Sequence, residues 1–399
     1  MDVVAPAARL QDRAAHPAIA AAAALTGALD AAAPRIEAAR ELPPDILDAM
    51  HAAGMFRLLL PRTLGGAEVA PAVFVAAIMH IAAGDASAAW CMGQGSGCSM
   101  AAAYLAPPAA QHVFGDPRDV LAWGQGPAAR AIRGEGGWRL SGTWSFASGS
   151  RHATWLGGHA TACAEDGTVL RLADGRPDER TFLFPRSAAA ITDIWQVMGL
   201  RGTGSDTYAV TDLFIPDAFV LRRDDPAYRR EDGPLYRFTT IHLYASAFAG
   251  VALGIARATL DAFIALAREK SPAQATSSLR DNAVIQAGIG VADARLRAAR
   301  RHLLGVMEEA WAEVLAEGAL SLDTRVAIRQ AGTFATAEAR QAVDFAYHEA
   351  GATAIFEANP FERRFRDLNA VTQQVQARHA HFETVGQYLL GMTPSMRWL

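Results

Sequence analysis

Three hydrophobic patterns follow one another along the chain, and each predicts a different kind of element. Up to about residue 117 the apolar positions recur at helical spacing. Pro43-Pro44-Asp45 opens one helix, with Ile46, Leu47, Met50 and Ala53 on one side and Gly54 closing it. A second helix is predicted from Pro71 into His80, and a third after Gly84 through Asp85 to Met92. From 118 to 225 the pattern shortens to alternating runs separated by turn residues, which predicts strands at 121–124, 129–133, 138–140, 143–148, 155–163, 180–185 and 208–215. Their spacing predicts an antiparallel barrel or small sandwich. From 226 the helical period returns in four long runs, 239–270, 283–317, 321–351 and 367–390, the third capped by Ser321, and four such runs predict a bundle. The expected organisation is therefore α+β, with a helical domain over 1–117, a β-domain over 118–225 and a bundle over 226–399.

One strand carries more chemistry than the rest. In WRLSGTWSFASG, residues 138–149, Ser141-Gly142 reads as a turn, and strand alternation then puts Trp144, Phe146 and Ser148 on one face. Two π surfaces and a hydroxyl suit a flat heteroaromatic ligand, although two aromatics on a strand are more often plain core. Trp90, with Gln94 and the small residues after it, is a candidate pocket border on the third helix.

Composition narrows the function classes. With 37 Lys plus Arg against 41 Asp plus Glu and no basic cluster, nucleic acid is not an expected partner. Cys91, Cys98 and Cys163 have neither metal-ligand spacing nor even pairing, so reduced thiols, a cytoplasmic location and no metal site are expected. The alanine-rich run 17–34 contains Asp30 and lacks a basic flank, which predicts an amphipathic helix and neither a signal peptide nor a membrane span. Gly202-Thr203-Gly204-Ser205 is too short for a dinucleotide fingerprint.

Four stretches, LLLPRTLGG (58–66), LSGTWSFASG (140–149), MGLRGTGSDTYAVTDLFIP (198–216) and FERRFRDL (361–368), occur in this order across the same three regions. Together they resemble the acyl-CoA dehydrogenase superfamily, whose members hold a flavin between a β-domain and a helical bundle. The resemblance implies FMN or FAD, with Trp144 and Phe146 flanking the ring and Ser148, Thr203 and Ser205 supplying hydroxyls toward it. Arg201 is a candidate for a flavin phosphate or a surface ion pair, and Arg280 for the phosphates of a neighbouring subunit or a helix-end charge. Trp90, Trp123 and Tyr244 are the candidate substrate contacts.

Within the family a dehydrogenase needs a carboxylate to remove a proton next to a thioester, and the position where many members carry it holds Gln374-Val375 here, neither of which is a base. The Trp-x-Phe-x-Ser-Gly strand is more similar to the two-component flavin monooxygenases, which take reduced flavin from a separate reductase and use O2 to oxygenate small aromatic or heteroatom substrates. That branch pairs a serine at position 148 with a histidine at position 374, where this chain has Gln374. His379 and His381 lie further along the same predicted helix and His152 just past the serine strand, so His379 joins Ser148 and Gln374 as a catalytic candidate. Acyl-CoA desaturation and a non-catalytic flavin-fold protein are the alternatives. A homotetramer, with bundle faces shared between subunits, is the expected assembly.

Overall fold

The computed structural model describes residues 16–271 and 278–399, so the first fifteen residues of the expected first domain lie outside it. Five helices come first: α1 (Pro17–Ala39), α2 (Pro44–Ala52), α3 (Pro71–Gly84), α4 (Ala86–Ser99) and α5 (Pro107–Phe114). Prolines occupy the first turn of α1, α2, α3 and α5, where the missing N–H is one no helix bonds internally. Helix α4 starts on Asp85, whose carboxylate accepts from Ala88 N at 2.8 Å. Helices α3 and α4 are buried around nearly their whole circumference, which is why their apolar residues show no stripe.

Eight strands follow: β1 (Leu121–Trp123), β2 (Arg130–Gly134), β3 (Gly137–Ala147), β4 (Trp155–Cys163), β5 (Glu179–Pro185), β6 (Ala190–Thr192), β7 (Asp206–Pro216) and β8 (Val220–Leu221). They form one sheet in the order β6-β7-β3-β2-β4-β5-β8, with β1 also paired to β4. The sheet is mixed, because β4 runs parallel to both β1 and β2. Its inner face packs Trp138, Leu140, Trp144, Phe182, Phe184 and Tyr208 into a core separate from the main one.

The expected turn at Ser141-Gly142 is instead an irregularity within β3, which runs unbroken from 137 to 147 and keeps pairing with β7 on both sides of it. A second register shift falls between Trp144 and Ala147, with Phe146 at φ 61. Such a bulge adds a residue to one strand and resets which side faces inward. Trp144 and Ala147 are both fully buried in the sheet core, while Phe146 turns outward and is 62% exposed. The expected common face of Trp144, Phe146 and Ser148 does not exist.

The bundle comprises α6 (Thr240–Glu269), α7 (Ala283–Glu317), α8 (Leu322–Glu349), α9 (Pro360–Thr372) and α10 (His381–Leu389). Helix α6 is apolar along most of its length because α3, α4, α8 and α9 all pack on it. The fourth predicted run is not one helix: after Thr372 the chain leaves α9, makes a short 3-10 turn at Val375–Ala377 and restarts at His381. Arg329 of α8 holds this break open by donating to Gln376 Oε1 at 2.7 Å, and His381 Nε2 donates to the Val375 carbonyl at 2.7 Å.

Candidate active site

The site forms where α4, the end of β3 and the loop 198–205 meet. Trp90 projects from α4 and donates its indole N–H to Ser148 Oγ at 3.0 Å. Ser148 Oγ lies 2.7 Å from Ser205 Oγ, which lies 2.7 Å from Thr203 Oγ1. Thr203 donates to the Leu200 carbonyl at 2.8 Å. Each hydroxyl has one hydrogen, so Thr203 must accept from Ser205 and Ser205 from Ser148. All protons in this resting chain point away from Ser148. Turning the Ser148 and Ser205 hydroxyls around lets Ser148 donate to a ligand while Ser205 donates to Ser148, so the serine can accept or give a hydrogen bond without a charged partner.

The loop that carries Thr203 and Ser205 is gripped by all three parts of the chain. Leu200 sits in the left-handed region at φ 54, and its N–H donates to Asp367 of α9 at 2.7 Å. A Cβ at Gly199 would lie 2.2 Å from the Arg366 carbonyl oxygen, so α9 approaches the loop as closely as a glycine allows. Arg366 donates to the Met198 carbonyl and ion-pairs with Glu37 of α1 at 2.5 Å; Glu37 also pairs with Arg201 at 3.1 Å. Arg363 lies between the buried carboxylates of Asp85 and Asp367, at 3.5 and 4.0 Å. Burial and the neighbouring Asp85 push the Asp367 carboxyl up to about 7. Asp85 starts the helix that bears Trp90, and Asp367 anchors the loop that bears Thr203 and Ser205, so one acid–arginine–acid cluster fixes both flanks of Ser148.

On the other side of Trp90 stands a stack of rings. Trp90 lies 4.0 Å from Phe248 at 14°, and Phe248 lies 5.4 Å from Tyr244 at 9°. The Tyr244 hydroxyl donates to the Gln94 carbonyl at 3.4 Å, and Gln94 Nε2 donates to the Trp123 carbonyl at 3.4 Å. Burial holds Tyr244 protonated and pushes the Cys98 thiol up to about 12, so neither supplies an anion near neutrality.

The structure therefore joins Ser148, Thr203, Ser205, Trp90, Trp123 and Tyr244 into one neighbourhood. It separates the other candidates from it. Trp144 stacks on Tyr208 at 5.4 Å inside the sheet and donates to the His159 carbonyl, so it supports the strand and cannot face a ligand. Phe146 is available, edge-on to Trp195 at 6.1 Å, with Ile194 and Met198 also exposed. Arg201 is engaged with Glu37 and the Val197 carbonyl, which makes it an ion-pair residue in this chain. Arg280 is exposed beside Asp281 at 3.6 Å, before α7.

Gln374 lies outside any α-helix and accepts from Gln376 N at 2.8 Å. His379 is exposed against Phe382, so the expected helix face linking Gln374 to the histidines is lost at the break after Thr372. His381 is buried at Val375. His152 packs on Phe56 at 5.5 Å, where burial pulls its pKa down to about 4 and keeps the ring neutral. Phe248 and Asp85 were missed from the sequence. Asp85 was findable, as an N-cap after Gly84; Phe248 stands in a uniformly apolar run without local distinction.

A flavin fits this arrangement. Hydroxyls of Ser148 and Ser205 converge on a buried point, and the outward Phe146 with Ile194 and Met198 leaves an uncovered apolar face on the β-domain next to it. That pairing of an apolar wall and neutral donors suits a flat ring that gains negative charge on reduction.

Comparison with known proteins agrees. Residues 19–112 match the acyl-CoA dehydrogenase N-terminal domain and residues 246–380 the acyl-CoA dehydrogenase C-terminal domain. The chain is 30% identical over 355 residues to an indole-3-acetate monooxygenase of Pseudomonas putida, covering 89% of each chain. It is 29% identical over 377 residues to the oxygenase component of an FADH2-dependent resorcinol hydroxylase of a Rhizobium species, covering 90% of each. The solved structure of 3-HSA hydroxylase from Rhodococcus sp. RHA1 superposes with a TM-score of 0.87 at 26% identity, over 97% of this chain and all of that one. The hydroxyl chain at Ser148, the three-part scaffold and these matches place the chain in the acyl-CoA dehydrogenase superfamily, within its branch of flavin-dependent monooxygenases.

Proposed function

We propose that this protein is the oxygenase component of a two-component system, receiving reduced FMN or FAD from a separate reductase and inserting one atom of O2 into a small aromatic substrate. The observation that carries this reading is Ser148, held between the Trp90 N–H and the Ser205 hydroxyl with no carboxylate among its hydrogen-bond partners. A proton-abstracting base is what thioester desaturation needs and what this chain of hydroxyls does not offer. Bound reduced flavin would supply the electrons that activate O2. The residues' part is to exclude water through the Trp90–Phe248–Tyr244 stack and to hold a hydrogen bond at Ser148 Oγ whose direction can reverse. The relatives named for indole-3-acetate and resorcinol support a planar aromatic substrate.

A cytoplasmic homotetramer is part of this reading. In it Arg280, exposed at the end of the bundle, would meet the flavin phosphate of a neighbouring protomer, and the stretch bearing Gln374 and His379 would meet other copies. The test is to supply photoreduced flavin, O2 and an indole or phenol and measure oxygenated product against hydrogen peroxide. Product in excess of peroxide supports the proposal; turnover of an acyl-CoA with an artificial electron acceptor, and none with reduced flavin and O2, would overturn it.

A further inference from the structure

The ladder between β3 and β7 stops one residue short of the hydroxyl chain. Its last pair is Ala147 with Asp206, and Ser148 and Ser205 lie just beyond that pair. Three ties join the two turns there. Gly149 N donates to the Thr203 carbonyl at 2.9 Å, and Ser150 Oγ donates to the Gly204 carbonyl at 3.3 Å. Arg151 grips Asp206 by both carboxylate oxygens, Nε to Oδ2 at 2.8 Å and Nη2 to Oδ1 at 3.2 Å.

The third tie differs from the chain's surface ion pairs in its burial. The Arg151 side chain is 16% exposed and the Asp206 side chain 3%. The stem of Arg151 lies across Gly204, where a Cβ would come within 2.7 Å of Arg151 Cδ. Arg151 Nη2 also reaches Asp193 at 3.2 Å, and Arg40 holds that acid from the end of α1 at 2.6 Å. Asp193 precedes the exposed Ile194, so the same arginine ties the turn after Ser148 to the apolar face around Phe146. Two charges taken this far from water lose in hydration about what they gain in attraction, so such a pair adds little net stability. It adds geometry, because a planar guanidinium that meets a carboxylate at two points fixes both distance and angle. Here the residue fixed is the neighbour of Ser205, and the residue that fixes it stands three past Ser148.

We propose that Arg151 is a positioning residue for the oxygenase site: its two-point contact with Asp206 sets the turn after Ser148 against the loop of Thr203 and Ser205, keeping Ser148 Oγ in line with Trp90 on one side and Ser205 on the other. The inference rests on the oxygenase reading for its consequence. With Ser148 out of line, reduced flavin and O2 give oxidised flavin and hydrogen peroxide in place of oxygenated product. The test uses the full chain as the neutral pair Arg151→Gln/Asp206→Asn, which strands no buried charge, and as Arg151→Lys, which keeps the charge and loses the two-point contact. Two readings are taken. One is oxygenated indole against peroxide per photoreduced FMN. The other is hydrogen exchange of the Trp90 indole N–H, which needs no flavin and is assigned in 15N-labelled protein by its loss in Trp90→Phe.

Product is expected to fall about fivefold in the neutral pair and about twofold in Arg151→Lys, with peroxide rising to match, since small displacements of a positioned group are costly. Trp90 exchange should quicken about tenfold in the neutral pair and in Ser148→Ala alike, and no further when the two are combined, because both act on the same hydrogen bond. Unchanged Trp90 exchange, or an unchanged product yield, would overturn the proposal. So would effects that multiply when the neutral pair is combined with Ser148→Ala, which would make Arg151 a support of the fold at large. Should the neutral pair fail to fold, Arg151→Lys decides by the same readings. The expected pattern of Trp90 exchange, in a native protein that forms no oxygenated product, would uphold the positioning of Ser148 and reject the oxygenase reading instead.

Discussion

Ser148 differs from an ordinary buried serine in having a donor on one side and a hydroxyl relay on the other. Ser148→Ala removes one oxygen from a site already lined by small groups, so the fold should persist, while oxygenated product per reduced flavin should fall at least tenfold and peroxide should rise to match. Trp90→Phe keeps a ring on Phe248 but deletes the N–H, with an expected loss of about 1 kcal/mol of stability and a similar drop in coupling, read by thermal melts and product yield. His152 gives a pH signature. Its folded pKa, about 4, lies below that of an exposed imidazole, so the unfolded chain takes up a proton first as pH falls from about 6.5 toward 4. The native chain loses stability through that window, and His152→Gln should lose less of it; identical acid-unfolding curves would contradict the assignment.

Helix α9 ties α4 and the 198–205 loop to each other through Arg363 and Asp367. Asp367→Ala leaves the buried Leu200 N–H without its acceptor while Arg363 keeps Asp85, an expected destabilisation of about 1–3 kcal/mol by denaturant titration. Asp367→Asn keeps the acceptor and should lose much less. The bulge at Phe146 makes a second case: Phe146→Gly suits the positive φ, so stability should hold or rise by up to about 1 kcal/mol while flavin affinity falls. At this scale the sequence was a partial guide. Helical and strand periods located most elements, and Thr203, Ser205 and Ser148 were named together only through the family resemblance of the loop and strand that bear them, with the structure joining their hydroxyls in one chain. The bulge was not, because Ser141-Gly142 looks like a turn until β7 pairs on both sides of it. The break after Thr372 contains no glycine or proline; it is held by Arg329 from a different helix, a contact no local pattern records.

Across the whole molecule, three parts converge on one loop, and the apolar face around Phe146 is left open on the surface of a single chain. A tetramer would cover such faces and bring Arg280 to them, so light scattering should give about four times the 42.3 kDa chain mass. The central claim concerns the electrons and the oxygen. The most direct measurement mixes the anaerobic protein and photoreduced FMN or FAD with oxygenated buffer containing indole or indole-3-acetate, and quantifies product in a single turnover. The expected result is an oxygenated aromatic formed in proportion to reduced flavin, lost in Ser148→Ala. Complete conversion of the reduced flavin to peroxide with no oxygenated product, together with bleaching of oxidised flavin by an acyl-CoA, would contradict the account.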